Sequence, residues 1–172
     1  VGPATLEGNL AYKRGTGPCG SLPAPEEAFG EGTSRFALAT ADASSSWPFK
    51  LAAQPLRYSA SWRAQSNKTP LTPQDRFAIG GRYSVRGFDG EASLSAERGW
   101  LLRNELSAPV GNSGGQVSYV GLDHGEVSGP RREPLVARRR TRPVLGLRGG
   151  FAHRRFGLAL GQRTPEQVRP QG

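Results

Sequence analysis

Strict alternation of apolar and polar side chains is the feature that most restricts how this chain can fold. In residues 56–65 every second residue is apolar, namely Leu56, Tyr58, Ala60, Trp62 and Ala64. Arginine, serine and glutamine fill the positions between them. Because successive side chains of a β-strand point to opposite sides, this period of two predicts a strand of about ten residues with one apolar and one polar face.

The same alternation recurs along the chain, and no segment has the period of 3.6 residues that an amphipathic helix needs. Further strands are predicted at 6–13, 34–42, 100–110, 116–127 and 144–160. Loops rich in glycine, proline and polar residues separate the strands, with long loops at 14–33 and 65–75 and a short hairpin turn at 111–115. The predicted fold class is therefore all-β, an antiparallel meander.

Alternation alone does not distinguish an outer-membrane barrel from a soluble β-sandwich. Two features favour the barrel. The polar faces are charged and rich in small residues, and aromatic residues lie near strand ends on the apolar faces, as they do in the girdles of outer-membrane barrels. These aromatic residues are Tyr12, Trp47, Phe49, Tyr58, Trp62 and Trp100. The pattern by itself leaves barrel and sandwich open as alternatives.

The composition excludes several classes of protein and site. The 172 residues contain no apolar run of about 18 residues, so no transmembrane helix is expected. No Met is present, which leads us to expect a processed product or an excerpt of a longer protein. The lone Cys19 excludes an internal disulfide, and no Cys/His cluster has zinc-binding spacing. No metal or other cofactor is expected.

Enzymatic activity is not expected either. Residues 15–20 match a GxGxxG pattern, but Pro18 and the proline-rich sequence after it provide no helix to receive a phosphate. His124 and His153 have no Ser or Cys partner in any recognisable motif.

The net charge of +9 resides in residues 131–172, which hold 11 Arg against Glu133 and Glu166. An Arg-rich end can bind nucleic acid or anionic lipid. No aromatic residue interleaves with Arg138, Arg139 and Arg140, as stacking on a single strand would require. We therefore expect no nucleic-acid partner.

Residues 76–91 (RFAIGGRYSVRGFDGE), 94–100 (LSAERGW) and 103–106 (RNEL) form a long set of motifs around a glycine-hinged loop. This stretch closely resembles the C-terminal half of the TpsB transporters, the outer-membrane partners of two-partner secretion in Gram-negative bacteria, within the Omp85 superfamily. The filamentous-haemagglutinin and haemolysin transporters belong to that family. The similarity extends from about residue 4 to about residue 161.

The resemblance implies the C-terminal half of a 16-stranded outer-membrane barrel, open or incomplete in this chain. Residues 1–161 would be the partial barrel, and residues 80–96 would be a long loop that folds back into the lumen. The tip of that loop would be Val85, Arg86, Gly87 and Phe88. Residues 162–172 are expected to be an irregular, eroded tail.

The resemblance also implies a docking site for the loop on the barrel wall. In the family, the arginine of the tip meets an Asp in a strand motif that Gly121-Leu122-Asp123-His124-Gly125 matches. Arg86 and Asp123 are therefore expected to pair, since a guanidinium in a lumen favours a carboxylate in bidentate geometry. Gly121 and Gly125, on the same strand face as Asp123, would leave room for the tip.

The function that the resemblance implies is secretion of a large exoprotein, an adhesin or haemolysin with an N-terminal secretion domain, through the barrel without ATP or catalysis. The other expected partners are outer-membrane lipid and, for the full-length relative, the barrel-assembly machinery. One alternative is a truncated, non-functional remnant of such a transporter. Another, from a different class, is a soluble β-sandwich with a basic binding tail.

Two further expectations concern the sheet itself. Residues 138–143 are expected to lack strand structure, because Pro143 cannot donate to a ladder and the arginines suit neither lipid nor a ladder. The sheet is expected to be an open half-barrel, with the first strand and residues 144–160 as its unpaired edges.

Overall fold

The computed structural model describes residues 2–16, 27, 33, 35–79, 94–111, 116–129, 136–151, 154–161 and 167–170. Within these residues the regular structure is β-strand, apart from short 3-10 turns such as Pro73–Asp75. None of the described segments is a helix with the length and apolarity to cross a membrane.

The described residues form ten strands. They are β1 (Thr5–Arg14), β2 (Ala37–Leu51), β3 (Gln54–Asn67), β4 (Phe77–Ile79), β5 (Leu94–Ala96), β6 (Arg98–Pro109), β7 (Gln116–Ser128), β8 (Val136–Phe151), β9 (Arg154–Gly161) and β10 (Gln167–Pro170). Eight of them make one antiparallel sheet in the order β1-β2-β3-β6-β7-β8, with β9 and β10 both paired to β8. Strands β4 and β5 form a separate two-stranded sheet.

The register gives the main sheet two chemically different faces, because residues directly opposite each other across antiparallel strands lie on the same face. One row across six strands is polar: Glu7, Ser44, Ser61, Arg103, Asp123 and Arg142. A row on the opposite face is apolar: Trp47, Tyr58, Leu106, Val120 and Leu145. We call these two surfaces the polar face and the apolar face.

The apolar face is not covered by another layer of the described structure. Leu6 and Leu10 of β1 are each 80% exposed, and Leu160 of β9 is 78% exposed. Trp62 is 39% exposed and Tyr58 is half-buried, so neither belongs to a protein core. A sandwich would bury these side chains between two sheets, so the sandwich alternative is wrong for this part of the chain.

The sheet is open in the described residues. Strand β1 pairs with β2 alone, while β9 and β10 pair with β8, and β1 does not reach either of them. The predicted all-β antiparallel half-barrel is confirmed. The predicted edge is wrong in part, because residues 144–149 pair with β7 on one side and β9 on the other, which leaves β9 as the edge among the described strands.

Strand β8 corrects the expectation that residues 138–143 lack strand structure. Pro143 lies opposite Leu122 of β7 within a continuous ladder. On the other side of β8, β10 pairs up to Arg139 and β9 pairs from Val144 onward. Within the described strands, residues 140–143 therefore face no partner on that side, and the missing N–H of Pro143 interrupts no ladder there.

The end of the chain differs from the expected irregular tail in one place. Gln167–Pro170 forms the short strand β10, antiparallel to the first residues of β8. The other residues of 162–172 lie outside the described part of the chain.

Long and short connections lie at opposite ends of the sheet. The β2–β3 turn has two residues, Ala52 and Ala53, with φ of 47° and 69°. The β6–β7 and β8–β9 turns at the same end are also short, whereas the β1–β2 and β3–β6 connections at the other end are long. In outer-membrane barrels the short turns are periplasmic and the long loops extracellular.

Candidate functional site

The segment between β3 and β6 places a small hairpin on the polar face of the main sheet. Strands β4 and β5 pair over three residues each. Phe77 and Ile79 of β4 are 6% and 0% exposed, and they pack with Leu101 of β6 and Val127 of β7. Ala96 of β5 packs against the same cluster. The largest buried apolar cluster of the described residues thus joins the inserted hairpin to the sheet.

Two glycines of the sheet make the close approach of this hairpin possible. A Cβ atom at Gly99 would lie 2.5 Å from the Phe77 ring and 2.8 Å from the backbone oxygen of Glu126. A Cβ at Gly125 would lie 3.3 Å from the side chain of Ile79. Since real Cβ atoms do not approach other heavy atoms so closely, the Phe77 ring can lie where it does only above a glycine at position 99.

A network of polar side chains holds both ends of the inserted segment at the end of β3. Glu97 is 6% exposed and Asn67 is 4% exposed. The Glu97 carboxylate accepts hydrogen bonds from Asn67 Nδ2 at 2.7 Å and from the Leu71 N–H at 3.2 Å. Arg98 donates through Nε to Asn67 Oδ1 at 2.9 Å. Asn67 Nδ2 also donates to the Thr69 carbonyl at 2.7 Å.

Asp123 of β7 is fully buried on the polar face. The register places Arg103 of β6 opposite it on one side and Arg142 of β8 on the other. Arg103 Nε lies 3.8 Å from Asp123 Oδ2, and Arg142 is 7% exposed. A buried carboxylate is costly unless cations or donors compensate it, and these two guanidinium groups supply positive charge on both sides.

The predicted tip residues Val85, Arg86, Gly87 and Phe88 lie outside the described residues, so the Arg86–Asp123 pair stays a prediction. On the wall, Gly121 and Gly125 are buried on the same face of β7 as Asp123. Gly125 makes room for the hairpin base at Ile79.

Beyond the hairpin, the polar face carries further ion pairs. Arg63 Nε lies 2.9 Å from Asp42 Oδ1. Arg148 of β8 lies 2.5 Å from Glu105 and stacks over the Tyr119 ring at 5.0 Å. A recess of about 410 Å³ lies over β1–β3 and β6, with a lining that includes Glu7, Asn9, Asp42, Ser44, Ser61 and Arg103. In the described ranges no group of three His, Cys, Asp or Glu could hold a metal ion.

Sequence reasoning missed Arg103, Arg142, Asn67 and Glu97 as parts of the site. Arg103 and Arg142 come beside Asp123 through the strand register, which a single sequence does not show. Arg142 also lies in residues 138–143, for which the sequence predicts no strand. For Asn67 and Glu97 the available signal was weak, a polar loop on one side and a Glu-Arg pair on the other.

The comparisons with known proteins agree with this geometry. The sequence model of the family described as haemolysin secretion/activation protein ShlB/FhaC/HecB matches residues 1–149. The chain is 39% identical over 166 residues to the outer membrane transporter CdiB-2 of Burkholderia pseudomallei strain 1026b, which covers 95% of this chain and 28% of that protein.

Two solved structures share the fold. CdiB from Acinetobacter baumannii aligns with a TM-score of 0.73 and 31% identity, over 99% of this chain and 29% of its own. CdiB from Escherichia coli aligns with a TM-score of 0.78 and 22% identity, over 98% of this chain and 32% of its own, which supports the fold alone. This chain therefore spans at most about a third of the length of these relatives.

Proposed function

Because the chain belongs to the ShlB/FhaC/HecB family of haemolysin secretion/activation proteins, we propose that it forms part of the barrel wall of an outer-membrane transporter. The family membership confirms the resemblance to the TpsB transporters. The proposed activity is two-partner secretion of a large exoprotein, an adhesin or haemolysin with an N-terminal secretion domain. Residues 1–161 supply the wall and the inserted loop.

The single observation that carries this proposal is the docking of the inserted hairpin on the polar face of a sheet whose other face is apolar and exposed. An exposed apolar face suits lipid, and a polar face suits a water-filled lumen. A segment docked on the lumen side restricts the pore. The structural match to two CdiB proteins supports the fold on which this assignment of the faces rests.

The proposed site within the lumen has two parts. One is the hairpin base, held by Phe77 and Ile79 on the wall. The other is the tip Val85–Phe88, with Arg86 binding Asp123 between Arg103 and Arg142. A charged pair in such a place fixes the loop without a large apolar interface, so the loop can leave the wall when the exoprotein passes. Neither ATP nor a catalytic group takes part.

The proposal is tested in a hybrid transporter, in which this chain replaces the matching segment of the Burkholderia pseudomallei CdiB-2, 39% identical over 166 residues. The measurement is the amount of the cognate exoprotein in the medium, divided by the amount of heat-modifiable hybrid in the outer membrane. We expect secretion, because the lumen-facing wall and the loop come from homologous positions. A hybrid that is assembled in the outer membrane but exports nothing would contradict the proposal and favour the non-functional remnant.

A further inference from the structure

We infer that Asn67, Glu97 and Arg98 act as positioning residues, a neck that fixes where the inserted hairpin lies on the polar face. Glu97 is the central member of this neck. An effect of the neck on secretion rests on the proposed function, whereas its effect on the position of the hairpin does not.

Glu97 joins three parts of the chain through one carboxylate. It belongs to the returning arm of the inserted segment, directly before β6. One of its oxygens accepts from Asn67, the last residue of β3, and the other accepts from the N–H of Leu71 in the outgoing arm. Leu71 is itself 0% exposed. The two arms and the sheet are thus tied at a single buried point.

Asn67 makes this point rigid because all of its polar atoms on the side chain are used. Its Nδ2 donates to Glu97 and to the Thr69 carbonyl, and its Oδ1 accepts from Arg98 Nε. Arg98 Nη2 also donates to the Asn67 carbonyl at 3.0 Å. Losing one partner of such a network leaves buried donors or acceptors unsatisfied, which costs more than the mean value of a hydrogen bond.

The hairpin depends on this neck because, in the part of the inserted segment that the structure describes, its own interactions with the sheet are few. Strands β4 and β5 have three residues each, and a two-stranded hairpin is at best marginally stable alone in water. Among its described residues, Phe77 and Ile79 make the apolar contact with the wall, with Ala96 at the margin. With the neck intact, the arms hold these side chains against Gly99 and Gly125. Without it, we expect the hairpin to leave the wall more often.

The test uses a cysteine-free form of the hybrid transporter, with Cys19→Ser in this chain and Ile79→Cys as a reporter. Ile79 is 0% exposed, so a cysteine there reacts with a water-soluble maleimide when the hairpin leaves the wall. The labelling rate is measured on purified, heat-modifiable protein. We expect Glu97→Ala to raise the rate about tenfold or more, since local opening governs access to a buried group.

The matched control is Glu7→Ala. Glu7 is an exposed carboxylate on the same polar face, and its loss should leave the labelling rate unchanged. If Glu97→Ala yields no heat-modifiable protein, Arg98→Lys replaces it, because lysine keeps the charge and loses the paired contacts with Asn67. A rise with Arg98→Lys supports the neck, and an unchanged rate overturns it.

The outcome also separates this inference from the proposed function. If folded Glu97→Ala protein is labelled no faster than the hybrid with Glu97 intact, the proposed neck is wrong, whether or not the hybrid secretes. A hybrid with an intact neck that does not secrete overturns the proposed function and leaves the labelling comparison readable. Faster labelling together with reduced secretion in Glu97→Ala supports both.

Discussion

The Asp123 carboxylate has arginines opposite it on both neighbouring strands, Arg103 on β6 and Arg142 on β8. It is fully buried, whereas the Arg103 side chain is 30% exposed. A buried carboxylate is tolerated only where neighbouring cations and hydrogen-bond donors compensate its charge. The residue is therefore a structural element of the wall, in addition to its proposed role in docking the loop tip.

We predict that Asp123→Asn destabilises the hybrid transporter by roughly 3 kcal/mol, because it removes the negative partner of buried positive charge. Asp42→Asn is the matched control on the same face. The Asp42 side chain is 42% exposed and that of its partner Arg63 is 67% exposed. Such an exposed ion pair contributes below about 1 kcal/mol to stability. The temperature at which each variant loses its heat-modifiable form measures the difference. Equal temperatures for the two variants would show that Asp123 has no special role in the wall.

At this scale the sequence predicts the motif residue and misses its surroundings. The Gly-x-Asp-x-Gly pattern identified Asp123, and the structure places it on the polar face beside Gly121 and Gly125. Its arginine neighbours could not be predicted, since a register shift of one residue would turn each of them to the opposite face.

Among the elements, the β4–β5 hairpin places the strictest demands on its surroundings. Its Phe77 ring occupies the space above Gly99, and the backbone of β7 closes that space from the other side. The contact between the hairpin and the wall is tightest at Gly99, so we expect substitutions there to weaken docking.

We predict that Gly99→Ala destabilises the hybrid by about 1–3 kcal/mol, the usual cost of overpacking. A methyl group at this position would meet the Glu126 carbonyl at 2.8 Å, which cannot move without disturbing the ladder. Gly8→Ala in β1 is the control, since its Cβ would lie 3.8 Å from the Asp42 oxygen. The Gly99→Ala hybrid should lose its heat-modifiable form at a lower temperature than the unsubstituted hybrid, whereas the Gly8→Ala hybrid should not. A Gly99→Ala hybrid as stable as the Gly8→Ala hybrid would mean that the hairpin does not dock here.

The ends of the strands show why part of the fold could not be predicted from the sequence. Strand β2 continues to Leu51 and returns through Ala52 and Ala53, both with positive φ. Hairpin turns of two residues usually carry Asn or Gly at such positions, so these alanines give no turn signal. Pro143, by contrast, wrongly indicates a break in the strand. A proline is tolerated in β8 because the described strands β9 and β10 leave residues 140–143 without a partner on the side away from β7.

For the whole molecule, one amphipathic sheet explains why large apolar side chains are exposed and where part of the positive charge of the C-terminal region lies. Arg142 is buried on the polar face near Asp123, and Arg148 pairs with Glu105 over Tyr119. At these positions the basic C-terminal region is a part of the wall. The alternation along the strands predicts the two faces of the sheet, because a period of two can be recognised even where the ends of a strand are misjudged.

The most direct test of the lumen-and-lipid assignment is a cysteine scan of β3 in the assembled hybrid transporter, read with a water-soluble maleimide in lipid vesicles. The polar face should react, at positions Arg57, Ser59, Ser61 and Arg63. The apolar face should stay unreactive, at positions Leu56, Tyr58, Ala60 and Trp62. Every substitution is single, in the cysteine-free background, so each position is compared with its immediate neighbours. Labelling should alternate with a period of two along the strand if the polar face lines a lumen and the apolar face meets lipid. Labelling at the apolar positions as fast as at the polar ones would contradict that assignment.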